Sequence, residues 1–341
     1  MGRIILVLAA LFSASSMYAY FQDSTAQGSG ITLFDTLFDL DIKQVILTAD
    51  LDSLAANKFS KKEQKSLITV LLQDGTKFTF GTKVSVRGKF RRVKCEFPPL
   101  KLNFRKKDLN EMGLHPKRDN YKLVTHCLLA DEGESAVLRE YLVYEMYQLL
   151  TDQSYRVKLF PITYKDVDSD NQISSMAFLI ESTKELSRRQ GGTVKKDLNP
   201  EHKNINPFLF EQVALFQYMI GNRDMDLKIL RNILLINDKD SAKMIPIAYD
   251  FDMAPFVHAA YAYPQYKDKR EIERIYLGFE ENRDQLVEVI KLFLDKKEAF
   301  IKLIEDFALL SNSDRKECVN YVKAFYQDIE NKDFLMSYGS N

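Results

Sequence analysis

Apolar residues along the chain recur with two different periods, and the change between them divides it. Residues 43–50 (KQVILTAD) are β-branched and apolar and predict a strand. Residues 66–73 and 76–87 read as two more, joined by Asp74-Gly75, a strong short-range hairpin signal. Pro98 and Pro99 interrupt the chain before Leu100–Phe104 (LKLNF), where alternation resumes. The period then lengthens. In residues 134–150, Val137, Tyr141, Tyr144 and Gln148 follow helical spacing, with Leu138, Leu142, Glu145 and Leu149 one step round. Residues 155–164 and 175–180 return to a strand-like pattern.

The second half differs. Gly191-Gly192 and the polar, Lys-rich stretch up to Asn206 predict a linker or mobile loop. Pro207 opens a helix through Ile220 with Asn206 as its N-cap. Residues 233–236 and 244–249 predict a hairpin around 237–240, and from 280 to 330 the apolar spacing is helical almost throughout. The aromatic stripe Phe293, Phe300, Phe307, Tyr321 and Phe325 is expected to pack in a core. A β-rich half joined to a helical half predicts a two-lobed α+β protein, with a β-rich N-lobe over 43–185, a linker over 186–206 and a mainly helical C-lobe over 207–335.

The first residues change the picture of where this protein works. Arg3 precedes the apolar run from Ile4 to Phe12, followed by Ser13, Ala14, Ser15 and Ser16. A charged start, a short apolar core and a small-residue exit predict a signal peptide over 1–19, cleaved after Ser16 or after Ala19. The run is shorter than the ~20 residues a spanning helix needs, and no later stretch approaches that length, so no membrane span is expected. Residues 20–42 read as a flexible lead-in, most clearly in the Ser/Gly/Gln-rich part from Gln22 to Gly30. The expected destination is outside the cytoplasm: periplasm, cell surface or medium.

Charge narrows the partners. Forty-eight Lys and Arg balance 48 Asp and Glu, and zero net charge argues against nucleic acid as a partner. Arg91, Arg92 and Lys94 form a local basic cluster facing either nucleotide or an acidic substrate, or else solvent at a strand edge. Three cysteines are too few for a disulfide scaffold, but Cys95 and Cys127 are able to pair in an oxidising compartment, and Cys318 reads as a buried helix residue. The four histidines show no ligand spacing for zinc. Asp166, Asp168 and Asp170 start like a calcium loop, but Asn171 and Ala177 stand where such a loop needs Gly and Glu, so a turn is expected.

The acids that follow the predicted helix after Pro207 are the candidate chemistry. Gly221-Asn222-Arg223-Asp224 leaves that helix, Asn232 opens a strand, and Asp250 stands at the end of the next one, in Tyr249-Asp250-Phe251-Asp252. Phosphoryl transfer from a nucleotide asks the protein to position phosphates, hold Mg²⁺ and orient a hydroxyl. Two Asp residues and an Asn on converging loops offer the hard oxygen ligands that suit Mg²⁺ or Mn²⁺. Loop Asp residues also serve as caps and turns.

Several blocks, taken in order, resemble the CotH kinase family, the spore-coat-protein-H-like atypical protein kinases. They are Val86-Arg87-Gly88-Lys89, then Pro99-Leu100-Lys101-Leu102-Asn103-Phe104, then the helix Leu138-Arg139-Glu140-Tyr141-Leu142-Val143-Tyr144-Glu145, then Phe178-Leu179-Ile180-Glu181. Asn222-Arg223-Asp224 with Arg231-Asn232-Ile233-Leu234-Leu235, and Pro246-Ile247-Ala248-Tyr249-Asp250-Phe251-Asp252, are the more specific pair. The resemblance implies an atypical protein-kinase-like fold and transfer of the ATP γ-phosphate to Ser/Thr hydroxyls of a protein substrate, with Mg²⁺ or Mn²⁺. It implies Asp224 as the catalytic-loop Asp and Asp250 as a metal ligand, with Asn232 beside it. Lys101 becomes the phosphate-contacting lysine, in competition with Lys94, Lys106 and Lys107, with Glu145 as its helix partner. Beside these, Arg87 reads either as a phosphate contact or as an ordinary exposed strand Arg, and Glu181 either lies near the nucleotide base or merely ends its strand. The chain departs from the family pattern at Arg223, Arg231 and Tyr249, where Trp or His is commoner, and at Met253-Ala254-Pro255-Phe256. The alternative reading is a non-catalytic relative that serves in envelope or surface assembly.

Overall fold

The computed structural model describes residues 30–60, 62–88, 90–265, 273–331 and 334. The predicted signal peptide, the first part of the lead-in and Lys89 lie outside the described residues. Two compact units form: the chain up to Leu129 with Lys158–Ser182, and Ala130–Val157 with the chain from Thr183 onward.

The first unit is built on seven strands: β1 (Ile42–Ala49), β2 (Gln64–Leu72), β3 (Lys77–Val86), β4 (Leu100–Phe104), β5 (Asn120–Val124), β6 (Val157–Asp166) and β7 (Gln172–Ile180). The Asp74-Gly75 signal works as expected. Gly75 takes φ 87°, Asp74 accepts a hydrogen bond from the Thr76 N–H at 2.8 Å, and β2 and β3 pair antiparallel from Leu71↔Lys77 back to Gln64↔Val84. The strand order is β1-β2-β3-β4-β5-β7-β6, and β1 closes the ring by pairing parallel to β6 with Val45 opposite Ile162.

This closure overturns the fold expected above. The α+β, two-lobed, protein-kinase-like arrangement of a β-rich N-lobe and a mainly helical C-lobe does not form. The strands make a closed mixed barrel instead of an open sheet. The physical reason lies in β1, which is hydrogen-bonded along both edges, to β2 and to β6, so the ring exposes no free edge. Alternation along each strand then fills the interior, where Val45, Leu47, Ile68, Phe80, Leu102, Leu123 and Leu179 are all buried. An apolar void of about 20 Å³ remains among Val45, Ile68, Phe80, Leu102, Leu123 and Leu179, near the size that holds one water.

Helix α1 (Leu33–Asp39) lies within the stretch read as lead-in. Its start is a reciprocal cap: the Asp35 N–H donates to Thr32 Oγ1 at 3.1 Å and the Thr32 N–H to Asp35 Oδ2 at 3.0 Å. Leu33, Phe34 and Leu37 join the barrel core. Helices α2 (Leu51–Ala56), α3 (Arg91–Lys94) and α4 (Lys106–Glu111) are short connections. Cys95, just after α3, forms a disulfide with Cys127, just after β5, with Cα atoms 4.6 Å apart.

The second unit holds helices α5 (Asp131–Leu150), α6 (Thr183–Arg189), α7 (Pro207–Ile220), α8 (Arg283–Asp306) and α9 (Asn312–Glu330). It also has a sheet of its own, ordered β10-β9-β8, from β8 (Thr193–Lys195), β9 (Ile233–Asn237) and β10 (Met244–Ala248). The helix expected from residue 134 is α5. It belongs to this unit, where Arg139 binds Asp314 and Glu317 of α9. Asn206 caps α7 by accepting from the Leu209 N–H at 3.1 Å, with Pro207 in the first turn. Residues 210–220 of α7 are buried throughout, and Phe293, Phe300 and Phe325 fill the core beside them.

Candidate functional site

The site residues of the second unit are placed by the two ends of its hairpin and by the end of α7. Gly221 terminates α7 in the left-handed region (φ 72°), and a Cβ there would collide with Tyr321 Oη and press on Pro255. The turn that follows is held by Asn222, fully buried, whose Oδ1 accepts from the Asp224 N–H at 3.0 Å. Asp226 and Arg231 exchange backbone hydrogen bonds of 3.0 and 2.9 Å and pinch residues 227–230 into a tight loop.

Asn232 ties this loop together. Its Nδ2 donates to the Asp224 carbonyl at 2.6 Å and to Asp224 Oδ2 at 2.9 Å. Both partners are acceptors, so chemistry fixes which end of the amide faces them, and Oδ1 is directed elsewhere. The Asn232 carbonyl accepts from the Tyr249 N–H at 3.1 Å, which sets Asp250 one residue away. Asp250 in turn donates its N–H to Tyr144 Oη at 3.0 Å, reaching α5. Phe251 is fully buried against the Tyr144 ring, with centroids 4.8 Å apart, and Asp252 accepts from Tyr261 Oη at 2.9 Å. Three sequence-distant segments, around 224, 232 and 250, are thereby brought together.

The backbone is strained at this place. Leu230, Asn232 and Asp250 have φ of 50°, 55° and 63°. Asn and Asp tolerate this region, whereas for Leu it costs roughly 1–2 kcal/mol. Such residues persist where surrounding contacts hold them, often at functional sites.

The charges are arranged around Asp224. Burial pushes its carboxyl above the usual Asp range and the nearby negative charge of Asp252 adds to this, while Arg231 and the Asn232 amide oppose it. Arg231 Nε lies 3.1 Å from Asp224 Oδ1, with both side chains part-exposed. The Tyr144 hydroxyl is raised well above its ordinary value by burial, then by the charges of Glu140 and Asp250.

The other expected site residues are distributed over both units. Arg87 follows β3, where its N–H donates to the Pro99 carbonyl at 2.9 Å. Lys101, on the outward face of β4, lies 3.8 Å from Glu63 Oε1. Glu181 is buried just after β7. All three belong to the first unit. Glu145, in the second, accepts from Gln148 Nε2 at 3.2 Å on α5. The sequence reading missed the parts of Tyr144 and Arg231. A Tyr on the buried face of a helix signals a hydroxyl in need of a partner, and that signal was available for Tyr144. Arg231 stood out only as a departure from a pattern.

Among the described residues, no group of three or more His, Cys, Asp or Glu is arranged to hold a metal ion by itself. The oxygens near 224, 232 and 250 suit Mg²⁺ or Mn²⁺ in kind. Mg²⁺ commonly takes one or two protein carboxylates and completes its shell with water and substrate phosphate, so this donor set fits a phosphate-bound cation better than a protein cage. No protein-family profile matches the sequence, and no curated protein matches it either.

Proposed function

We propose that the second unit carries a cation-dependent phosphotransfer centre, with ATP as donor and a protein Ser/Thr hydroxyl as acceptor. The observation that carries this reading is the Asn232 bridge, which fixes the Asp224 carboxylate and, through the Tyr249 N–H, the position of Asp250. Asp224 would accept the proton of the attacking hydroxyl. The hydroxyl oxygen then bonds to the γ-phosphorus as the bond to the ADP oxygen breaks. Asp250, with Asn232 Oδ1, would hold Mg²⁺ or Mn²⁺, whose chemistry is to neutralise the phosphate charge. ATP and a protein acceptor come from the sequence resemblance; the carboxylate and amide geometry supports the cation and proton roles.

A second reading, a non-catalytic protein of envelope or surface assembly, is favoured by the Arg231–Asp224 pair, because that carboxylate already has two donors on it. For either reading we place the protein outside the cytoplasm, in periplasm, cell surface or medium. The Cys95–Cys127 disulfide supports this, since such bonds persist in oxidising compartments.

Thermal melting with ATP plus Mn²⁺, beside Asp250→Asn, separates the two. Saturating ligand at ~100 times its Kd stabilises by about 2.7 kcal/mol. A rise in Tm that needs both ATP and metal and vanishes in the variant is expected for the phosphotransfer centre. No rise, or an equal rise in the variant, removes it and leaves the assembly reading.

A further inference from the structure

The basic cluster noted in the sequence belongs to the first unit, and the structure gives it apolar company. Among the described residues of segments 58–62 and 87–94, Lys58 and Lys62 in the first and Arg87, Arg92 and Lys94 in the second are cationic and not buried, with no acid in either segment. The two segments are neighbours, because Arg92 Nη1 donates to the Phe59 carbonyl at 3.3 Å. Phe59 is 65% exposed, Val93 60% and Phe90 45%. Phe90 and Val93 stand three residues apart on one helical turn, closed by the Val93 N–H donating to the Phe90 carbonyl at 3.0 Å. Ammonium groups flank both rings, Lys58 Nζ at 5.5 Å from the Phe59 centroid and Lys94 Nζ at 5.9 Å from that of Phe90. The Cys95–Cys127 disulfide anchors the end of this turn to the barrel.

Exposed apolar side chains of this size, clustered and ringed by cations, mark an interaction surface. We propose that this patch docks the protein on an anionic phospholipid membrane. Rings and the Val93 side chain would enter the headgroup–acyl boundary while the ammonium groups stay at the phosphates, the division that amphipathic side chains make at a lipid interface. Charge complementarity selects anionic lipid. A nucleic acid would use the rings for stacking but gains nothing from Val93. A lipid interface places anionic headgroups and hydrocarbon within the span of one lysine side chain, as the mixture of charge and apolar surface here requires. This reading is independent of the phosphotransfer proposal.

Co-sedimentation of the full chain with phosphatidylcholine vesicles, with and without phosphatidylglycerol, tests it. Strong binding is expected only with phosphatidylglycerol. Lys58→Gln with Lys94→Gln should weaken it roughly 25-fold, at about fivefold per cation. Phe59→Ser with Val93→Ser should weaken it about tenfold or more. All variants share residues 1–29, so binding through that segment would survive in each of them and on neutral vesicles. Should a double variant melt early, Phe59→Ser alone, in a loop outside helix and strand, carries the test. Binding that ignores either substitution pair, equal binding to neutral vesicles, or no vesicle binding at all overturns the proposal. Capture of polyglutamate or an oligonucleotide through the same residues, without vesicle binding, overturns it in favour of that class of partner.

Discussion

The Asn232 amide nitrogen sits 2.9 Å from Asp224 Oδ2 and 2.6 Å from the Asp224 carbonyl, so one side chain holds both the backbone and the carboxylate of a residue eight positions earlier. Asn232 does this from a left-handed backbone at φ 55°. Two separable contributions follow. Asn232→Ala removes the side-chain bonds and adds the left-handed cost, whereas Asn232→Gly removes the bonds alone. Denaturant unfolding should show both variants destabilised by about 1–3 kcal/mol. The Ala variant should be lower than the Gly variant by a further ~1 kcal/mol. Equal stabilities would mean that the backbone at 232 relaxes once the amide is gone.

Arg231 acts on the same carboxylate from the solvent side. The pair is part-exposed, at 49% for Arg231 and 36% for Asp224, so Arg231→Gln should change stability by only about 0–1 kcal/mol. Its effect on protonation should be clearer. Burial already raises the Asp224 carboxyl and Arg231 opposes that rise, so removing the cation moves the titration further up. Carboxyl NMR titration of Asp224 in wild type and variant measures this, and a downward or absent shift would show that the ion pair does not persist in solution.

Local chemistry in the sequence told much of the fold's parts and little of its closure. Asp74-Gly75, the Asn206-Pro207 cap and the period of α5 each act within a few residues, so each is visible in a short window. The Val45↔Ile162 pairing that closes the barrel joins strands more than a hundred residues apart, and no window contains both. Nothing in the period of α5 says which unit it serves. The Thr32–Asp35 cap of α1 lay beside a Ser/Gly-rich stretch whose composition dominated the reading. At the site, Asp224, Asn232 and Asp250 stood out because hard-oxygen chemistry needs them. For Tyr144 the sequence shows a hydroxyl in need of a partner but not the partner, which is Asp250, 106 residues away.

The disulfide should matter for stability more than any single barrel contact. Cross-linking across a sequence separation of 32 restricts the unfolded chain, worth roughly 3–4 kcal/mol in the loop-entropy account. Cys95→Ser with Cys127→Ser should lower unfolding free energy by about that amount, and dithiothreitol should do the same to the wild type. Unfolding curves that coincide with and without reductant would show that the bond is not formed in the purified protein.

Arg139 makes a pH-dependent link between α5 and α9. It is 3% exposed, with its Nη2 2.5 Å from Asp314 Oδ1 and 2.7 Å from Glu317 Oε2. Burial pushes the Asp314 carboxyl up, but hydrogen bonds from Arg139 and Ser311 outweigh it and the group ends below its usual range. A carboxyl depressed in the folded state contributes stability that is present above its unfolded value and lost as pH falls through the folded one. Stability should therefore decline below about pH 4, and the decline should be shallower in Asp314→Asn. At neutral pH that variant should be weaker by about 1.5–3 kcal/mol, the range for a hydrogen bond to a charged group. Parallel curves for variant and wild type would count against the assignment.

The two acids of the phosphotransfer proposal should fail in different ways. Asp250→Asn removes a charge from the cation side, so ATP with Mn²⁺ should no longer raise the Tm and transfer should stop with it. Asp224→Asn keeps the shape and leaves an oxygen for the Asn232 amide to reach, but it removes the proton acceptor. That variant should still show the ATP and metal stabilisation while kcat falls by about 10²–10⁴, the range for general-base loss. Binding and turnover, measured on one preparation of each variant, give four values that the assigned roles predict separately. If Asp250→Asn keeps the ATP and metal stabilisation, the phosphotransfer centre falls; if Asp224→Asn loses that stabilisation together with turnover, Asp224 serves binding and not proton transfer alone.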